Sequence, residues 1–181
     1  MDWEDLYMRT APAALPWNAG GPDEDLVRLV SEGRIPKGQA LDLGTGPGHD
    51  AVYLIQQGFD VIAIDISPTA IQLARENASH HGVFGFFQTG DIRAIPVEDR
   101  WVDVVNDRGC FHLLEGGDLV KAADEIARVL KPRGKLLLRM FAERKELEVL
   151  FQRQFTLLDS WSGHFAGPAK RPSVSFFLER K

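Results

Sequence analysis

The sequence is poor in cysteine: Cys110 is the single one in 181 residues. An internal disulfide is therefore excluded, and the core must be held by burial alone, which a chain of this length can supply. No apolar run is long enough to cross a bilayer, and no internal repeat or low-complexity tract is present. Basic charge is not in excess either. Lysine and arginine number 21 against 26 acidic residues, a net charge of -5, which works against a nucleic-acid partner because phosphate neutralisation needs a cationic face. The acidic start "MDWEDLY" lacks the basic and apolar regions of a signal peptide, so the expected location is cytoplasmic. His112 and His164 do not have the partner spacing of a metal site, and no metal is expected. The balance of 44% hydrophobic and 26% charged residues is that of an ordinary globular domain.

Along the chain, hydrophobic periodicity alternates between the two regular structures. After a polar opening with Pro12, Pro16, Gly20, Gly21 and Pro22, "DEDLVRLVSEG" has helical spacing and ends at Gly33. "QALDLG" then reads as a buried strand, "HDAVYLIQQ" as a helix stopped by Gly58, and "DVIAID" as a second buried strand. "SPTAIQLARENASHH" opens with Ser67 as N-cap and Pro68 at the first helical position, and stops at Gly82. "VFGFFQTG" and "WVDVVND" read as the third and fourth strands, "DLVKAADEIARVL" as a helix closed by Pro132 and Gly134, and "KLLLRMF" as the fifth strand. "RMFAERKELEVL" passes from that strand into a further helix. The alternation predicts an α/β fold with a doubly wound, mostly parallel sheet, whose ligands sit beyond the carboxyl ends of the strands. "FTLLDSW" and "SVSFFLERK" have no room for a helix between them and predict an antiparallel hairpin. Its joining loop, "SGHFAGPAKRP", would lie at the ligand edge if the first of the two runs parallel to the rest.

The stretch "ALDLGTGPGHDAVYL" carries most of the chemistry. A glycine-rich turn between a strand and a helix presents unpaired backbone N–H groups and lets a ligand approach the main chain closely. A nicotinamide dinucleotide site would want G-x-G-x-x-G, whereas Gly44, Gly46 and Gly48 stand at every second position. Asp42, two residues before the first glycine, would repel a pyrophosphate and suits a ligand ammonium group. The preferred ligand is a nucleoside with a cationic amino-acid tail. Asp65, ending the second strand, stands where a carboxylate can bond both hydroxyls of a ribose. Asp91 in "TGDI" stands where a carboxylate with a neighbouring N–H reads an adenine edge.

"LDLGTGPG", "VIAIDISPTAIQLA", "TGDI" and "DVVNDRGCFHLL", in this order and spacing, resemble the class I S-adenosylmethionine-dependent methyltransferases, and the resemblance covers nearly the whole chain. It implies a seven-stranded Rossmann-like sheet with a reversed last strand, a methyltransferase domain over 35–181, and an N-terminal cap segment and helix over 1–34. S-adenosylmethionine would be the cofactor and S-adenosylhomocysteine its product. By the match, Asp42, Gly44, Thr45 and Gly46 would hold the methionine part, Asp65 and Ile66 the ribose and adenine, and Asp91 and Ile92 the adenine edge. "NDRGCFHLL" and "LPWNAGGPDEDLVRLV" resemble the thiopurine and tellurite-resistance branch. There Trp17 would help cover the cofactor, and Asp107 and Arg108 would lie beside the transferred methyl. Pro47 and Leu113 depart from that branch, and the segment after the fifth strand lacks the insertion that forms one pocket wall in the thiopurine enzymes.

The expected reaction is methyl transfer to a small-molecule sulfur, selenium, tellurium, halide or oxygen nucleophile by in-line displacement. Asp107 or His112 would take the proton of a hydroxyl acceptor, and Arg108 would assist beside the methyl. Cys110, among apolar neighbours, reads as core. The rival readings are a nicotinamide-dependent oxidoreductase and a non-catalytic S-adenosylmethionine-binding module. The partner would be the small-molecule acceptor, and the protein a monomer or homodimer. The acceptor side would be closed by the residues around Trp17 or by another subunit.

Overall fold

A computed structural model describes residues 1–165 and 170–181. Seven strands form one sheet: β1 (Gln39–Leu43), β2 (Asp60–Asp65), β3 (Phe86–Thr89), β4 (Val102–Arg108), β5 (Leu130–Phe141), β6 (Phe155–His164) and β7 (Pro172–Arg180), in the spatial order β3-β2-β1-β4-β5-β7-β6. β1 to β5 are mutually parallel where they pair, and β7 runs antiparallel to both β5 and β6. The expected reversed last strand and terminal hairpin are therefore present. β6 consequently runs with the parallel set, and its end at His164 reaches the carboxyl edge. Of the expected joining loop, residues 166–169 lie outside the described residues.

Among the described residues five α-helices accompany the sheet: α1 (Trp3–Arg9), α2 (Glu24–Ser31), α3 (His49–Gln56), α4 (Pro68–His80) and α5 (Gly117–Val129). β1, β2, β4, β5 and β7 bury residues on both sides. Ala40, Val61, Ala63, Val104, Leu137 and Phe177 pack with α2, α3 and α4, while Leu41, Leu43, Ile64, Val105, Leu136, Leu138 and Leu178 pack with α5 and Phe151. This odd-even division explains why the central strands read as continuous hydrophobic runs. Ser67 caps α4 by accepting from the Ala70 N–H at 3.0 Å, as its sequence position predicts.

Three expectations are corrected. The polar opening contains α1, whose Tyr7 packs with Leu15, Trp17, Ala70 and Leu73. In the connection from β3 to β4, Glu125 and Arg128 of α5 bind the Ile95 N–H and the Ile95 and Val97 carbonyls. α5 ends at Val129 and the chain enters β5 directly at Leu130, which pairs with Val102 across an irregularity in register. The segment after β5 forms a 3-10 helix, Ala142–Phe151, in place of the expected α-helix. It must carry the chain back to the amino edge where β6 begins, and ten residues rise roughly 20 Å in a 3-10 helix against about 15 Å in an α-helix. Among the described residues no helix is long and apolar enough to cross a membrane.

Candidate functional site

The glycine turn lies at the carboxyl end of β1, and the ends of β2 and β4 hold it. Thr45 donates its N–H to the Ile64 carbonyl at 2.9 Å and its hydroxyl to Asp42 at 2.6 Å. Gly46 donates its N–H to Asp65 Oδ2 at 2.9 Å, and the Ser67 N–H reaches Asp65 Oδ1 at 3.0 Å. Asp65 thus fixes the turn against the start of α4. Gly44 and Gly46 adopt φ of 60° and 52°. A Cβ on Gly44 would stand 2.6 Å from Cys110 Cβ, and one on Gly46 2.8 Å from the Tyr7 hydroxyl, so bare backbone faces both neighbours.

Behind the turn, on the α2–α4 side of the sheet, lies a buried polar row that sequence reasoning missed. Asn106 bridges Asp42 and Asp50, donating to them at 2.8 Å and 3.2 Å. Asp50, in the first turn of α3, accepts from the Asp23 N–H at 2.6 Å. Arg139 binds Asp23, lies 3.4 Å from Asp25, and donates to the His164 carbonyl at 2.6 Å. Arg108 lies 3.5 Å from Asp23 and 3.7 Å from Asp50. Six aspartates are buried here and nearby (Asp23, Asp25, Asp42, Asp50, Asp65 and Asp107) against two arginines. Burial raises Asp42, and the Asp50 carboxylate beside it raises it further. Burial also raises Asp50, with Arg108 opposing, and it raises Asp65 against its backbone donors. Each acid stands plainly in the sequence, and Asp23 caps α2 in the structure. Their meeting across 27 to 116 residues was not visible there.

α1 covers the outer side of the turn. Glu4 accepts from the Ser67 hydroxyl at 2.5 Å and from the Thr69 N–H and hydroxyl at 3.1 Å and 2.7 Å. Trp17 donates its indole N–H to the Tyr7 hydroxyl at 3.2 Å, which sets Trp17 one layer away from the turn with Tyr7 directly on it. Ile66 is 48% exposed and lines an open hollow of about 350 Å³ with Met1, Asp2, Trp3 and Glu4. Asp91 stands at the end of β3, with the Gly90 N–H bonded to the Asp65 carbonyl at 2.9 Å. Its carboxylate is engaged by Arg93 Nη2 at 2.6 Å, and that arginine also binds Asp118 at 2.7 Å; the guanidinium hydrogen bond holds Asp91 below the usual carboxylate range. The Ile92 side chain points into the core at 6% exposure, leaving its backbone as the part available at the edge.

The turn after β4 carries the remaining residues. Asp107 is fully buried and accepts from the N–H groups of Gly109, Cys110 and Phe111 at 2.9 to 3.1 Å. Burial pushes its pKa up to about 7 against those three donors. Its oxygens hold the turn in shape, so Asp107 acts through the turn and does not face an acceptor as the expected base. Cys110 meets the glycine turn at Gly44, and burial, together with the carboxylates of Asp107, Asp65 and Asp42, raises its thiol. As expected, it is not an activated nucleophile. His112 is 1% exposed, its ring centroid 4.2 Å from that of Phe141 and 6.0 Å from that of Phe165. Burial, then the nearby Arg144, push its pKa down to about 4, with the Arg139 carbonyl pulling the other way. Phe165, at the end of the hairpin strand, also approaches Gly109: a Cβ there would lie 3.3 Å from its ring. Phe165 thus stands beside this turn, at the edge where the joining loop was expected.

A model of the family described as "Methyltransferase domain" matches residues 40–134, just over half of the chain. The chain is 32% identical over 115 residues to the 2-heptyl-1-hydroxyquinolin-4(1H)-one methyltransferase of Mycobacteroides abscessus, covering 61% of this chain and 50% of that protein. It is 31% identical over 131 residues to the probable thiol methyltransferase 2 of Arabidopsis thaliana, covering 71% and 57%. The chain therefore spans about half the length of these relatives. A solved structure from work on the conversion of a disulfide bond into a thioacetal group during echinomycin biosynthesis has the same fold, with a TM-score of 0.88 over 99% of this chain and 91% of that one at 23% identity.

Proposed function

The chain belongs to the methyltransferase-domain family, and we propose that it binds S-adenosylmethionine and transfers the methyl group to a small-molecule nucleophile. The observation that carries this reading is the coupling of the glycine turn to Asp65 and Asp42 beneath a surplus of buried carboxylate. Gly44 and Gly46, held at positive φ and packed on their far sides against Cys110 and Tyr7, keep the turn tight and its main chain without side-chain bulk. The carboxylate surplus favours a ligand carrying net positive charge and penalises a pyrophosphate. Both features fit a nucleoside sulfonium and count against a nicotinamide dinucleotide.

When bound, S-adenosylmethionine supplies a methyl already activated by its sulfonium. The residues of the chain then bind and orient. Asp42, Gly44, Thr45 and Gly46 would take the amino-acid part, and Asp65 the ribose, its oxygens retaining lone pairs beyond the two backbone bonds. Ile66, Asp91 and the Ile92 backbone would border the adenine, while Tyr7 and Trp17 exclude water from above. Arg108, tied to Asp23 and Asp50, would keep the acceptor side cationic, and the Asp107-anchored turn would hold His112 toward the acceptor. Alignment and water exclusion account for most of the rate in such a scheme.

Titration calorimetry with S-adenosylmethionine and with NADH, followed by transfer of a labelled methyl group, tests the proposal. Binding of the first and not the second is expected; NADH binding alone would replace the reading with an oxidoreductase. Asp65→Ala should weaken S-adenosylmethionine by about 1.5–3 kcal/mol, the loss of hydrogen bonds to a charged group, with the circular dichroism spectrum retained. Unchanged affinity would remove Asp65 from the ribose site.

A further inference from the structure

Resting on the methyltransferase reading, we propose that the acceptor is a flat aryl or heteroaryl compound bearing an O–H or S–H group, with His112 binding that group between the rings of Phe141 and Phe165. His112 is the anchor. Its imidazole is 99% buried, yet neither Nδ1 nor Nε2 makes a well-formed hydrogen bond among the described residues, although the Arg139 carbonyl is near enough to act on the ring. A buried polar group left unsatisfied costs about 1–3 kcal/mol, a cost that a ligand hydrogen bond would relieve. The ring is also aimed at the right place. His112 Cε1 lies 3.5 Å from where a Gly109 Cβ would be, Gly109 precedes Cys110, and Cys110 packs on Gly44 of the glycine turn. One short turn therefore joins the imidazole to the proposed methyl donor site.

The walls select the class of acceptor. Phe141 and Phe165 have ring centroids 5.2 Å apart in an edge-to-face arrangement, and both approach His112. Arg171 stacks on Phe141 at 3.5 Å and Arg139 on Phe165 at 5.2 Å, so the rings are held from outside. A planar ligand ring can take over contacts that these rings now make with one another, at little cost in aromatic packing. An inorganic anion such as iodide, hydrosulfide or tellurite would give up its hydration to apolar walls and gain no aromatic stacking in return. The environment that holds His112 uncharged points the same way: a neutral imidazole offers a bare lone pair to an O–H or S–H donor, whereas a simple anion would favour the imidazolium. In the transfer, the bond from the acceptor heteroatom to carbon forms as the carbon–sulfonium bond breaks. The electron pair of the broken bond stays on sulfur, and the acceptor's proton passes to His112 and from there to water.

The test uses the whole chain with saturating S-adenosylmethionine and reads S-adenosylhomocysteine release. Thiophenol, 4-nitrophenol and 4-hydroxyquinoline form one panel, and iodide, sulfide and tellurite the other. Turnover of at least one aryl compound, with kcat/KM at least about tenfold above every inorganic acceptor, is expected, the equivalent of one hydrogen bond. His112→Phe keeps a ring in place and should lower that kcat/KM by about tenfold or more, while S-adenosylmethionine affinity by calorimetry stays unchanged. His112→Gln, which restores a hydrogen-bonding group, should recover part of the loss, and Phe165→Ala should raise KM for aryl acceptors more than it lowers kcat. Preference for an inorganic anion, an undiminished rate in His112→Phe, or tight S-adenosylmethionine binding with no aryl turnover would overturn this inference and leave the methyltransferase reading standing. Failure to bind S-adenosylmethionine at all would overturn both.

Discussion

Gly48 separates the binding role of the glycine turn from its packing role. It adopts φ of 79°, and a Cβ there would lie 2.8 Å from Ala74 Cβ and 3.0 Å from Ala74 Cα in α4. Two helices meet at that point without room for a methyl group. Gly48→Ala should therefore destabilise the fold by about 2–5 kcal/mol, combining left-handed backbone strain with overpacking against main chain, as read from the midpoint of denaturant unfolding. Unfolding at the wild-type midpoint would refute this. The sequence shows the three glycines alike, because their spacing says only that the turn is tight. Which neighbour each one faces depends on Tyr7, Cys110 and Ala74, which come from α1, the turn after β4, and α4. Asp107 illustrates the same limit: the resemblance of its segment suggested a group beside the methyl and a base, whereas three inward backbone N–H groups make it an anchor.

At the scale of elements, α4 and α1 make a contrast. Ser67, Pro68 and Gly82 mark the ends of α4 by local chemistry, and the structure uses Ser67 as the cap. α1 carries a similar local signal, with Asp2 accepting from the Asp5 N–H at 3.1 Å, but seven residues are too few to be stable without packing. Its existence depends on Glu4 reaching Ser67 and Thr69 at the start of α4 and on Tyr7 covering Gly46. Glu4→Ala should consequently weaken S-adenosylmethionine binding by loosening this cover, while the denaturant midpoint of the core stays nearly unchanged. Equal affinity by calorimetry would show that α1 takes no part. The 3-10 helix after β5 was likewise hidden from periodicity, since the distance it must span is set by the sheet.

Across the whole molecule the buried acids govern the response to pH. Burial raises Asp107 from an ordinary 3.8 to about 7 and also raises Asp42, Asp50 and Asp65. In that interval the folded chain holds more protons than the unfolded one, so stability is greater at the acid end and falls as pH rises. Asp91, Glu125 and Asp159, held low by arginine partners, act below about pH 4 and in the opposite sense. His112, pushed down to about 4, and His49, lowered likewise by burial, act in the opposite sense up to the ordinary histidine value of 6.5. From about pH 6.5 to about pH 7.5 the thermal midpoint of the ligand-free protein should therefore decline, and the upward shift caused by S-adenosylmethionine should grow as the carboxylates ionise. A buffer series followed by scanning fluorimetry checks both trends, and a rising ligand-free midpoint would show these acids ionised throughout. The amino-acid order by itself determined the alternation of strand and helix, the reversed hairpin and the glycine turn with its flanking aspartates, because caps, periodicity and turn chemistry act over a few neighbouring residues. Only the tertiary structure decided that Asp23, Asp50, Asn106, Arg108 and Arg139 form one buried row and that Phe165 meets His112. Those partners lie up to 116 residues apart, and their distance in space is fixed by strand order and register, which no local rule contains.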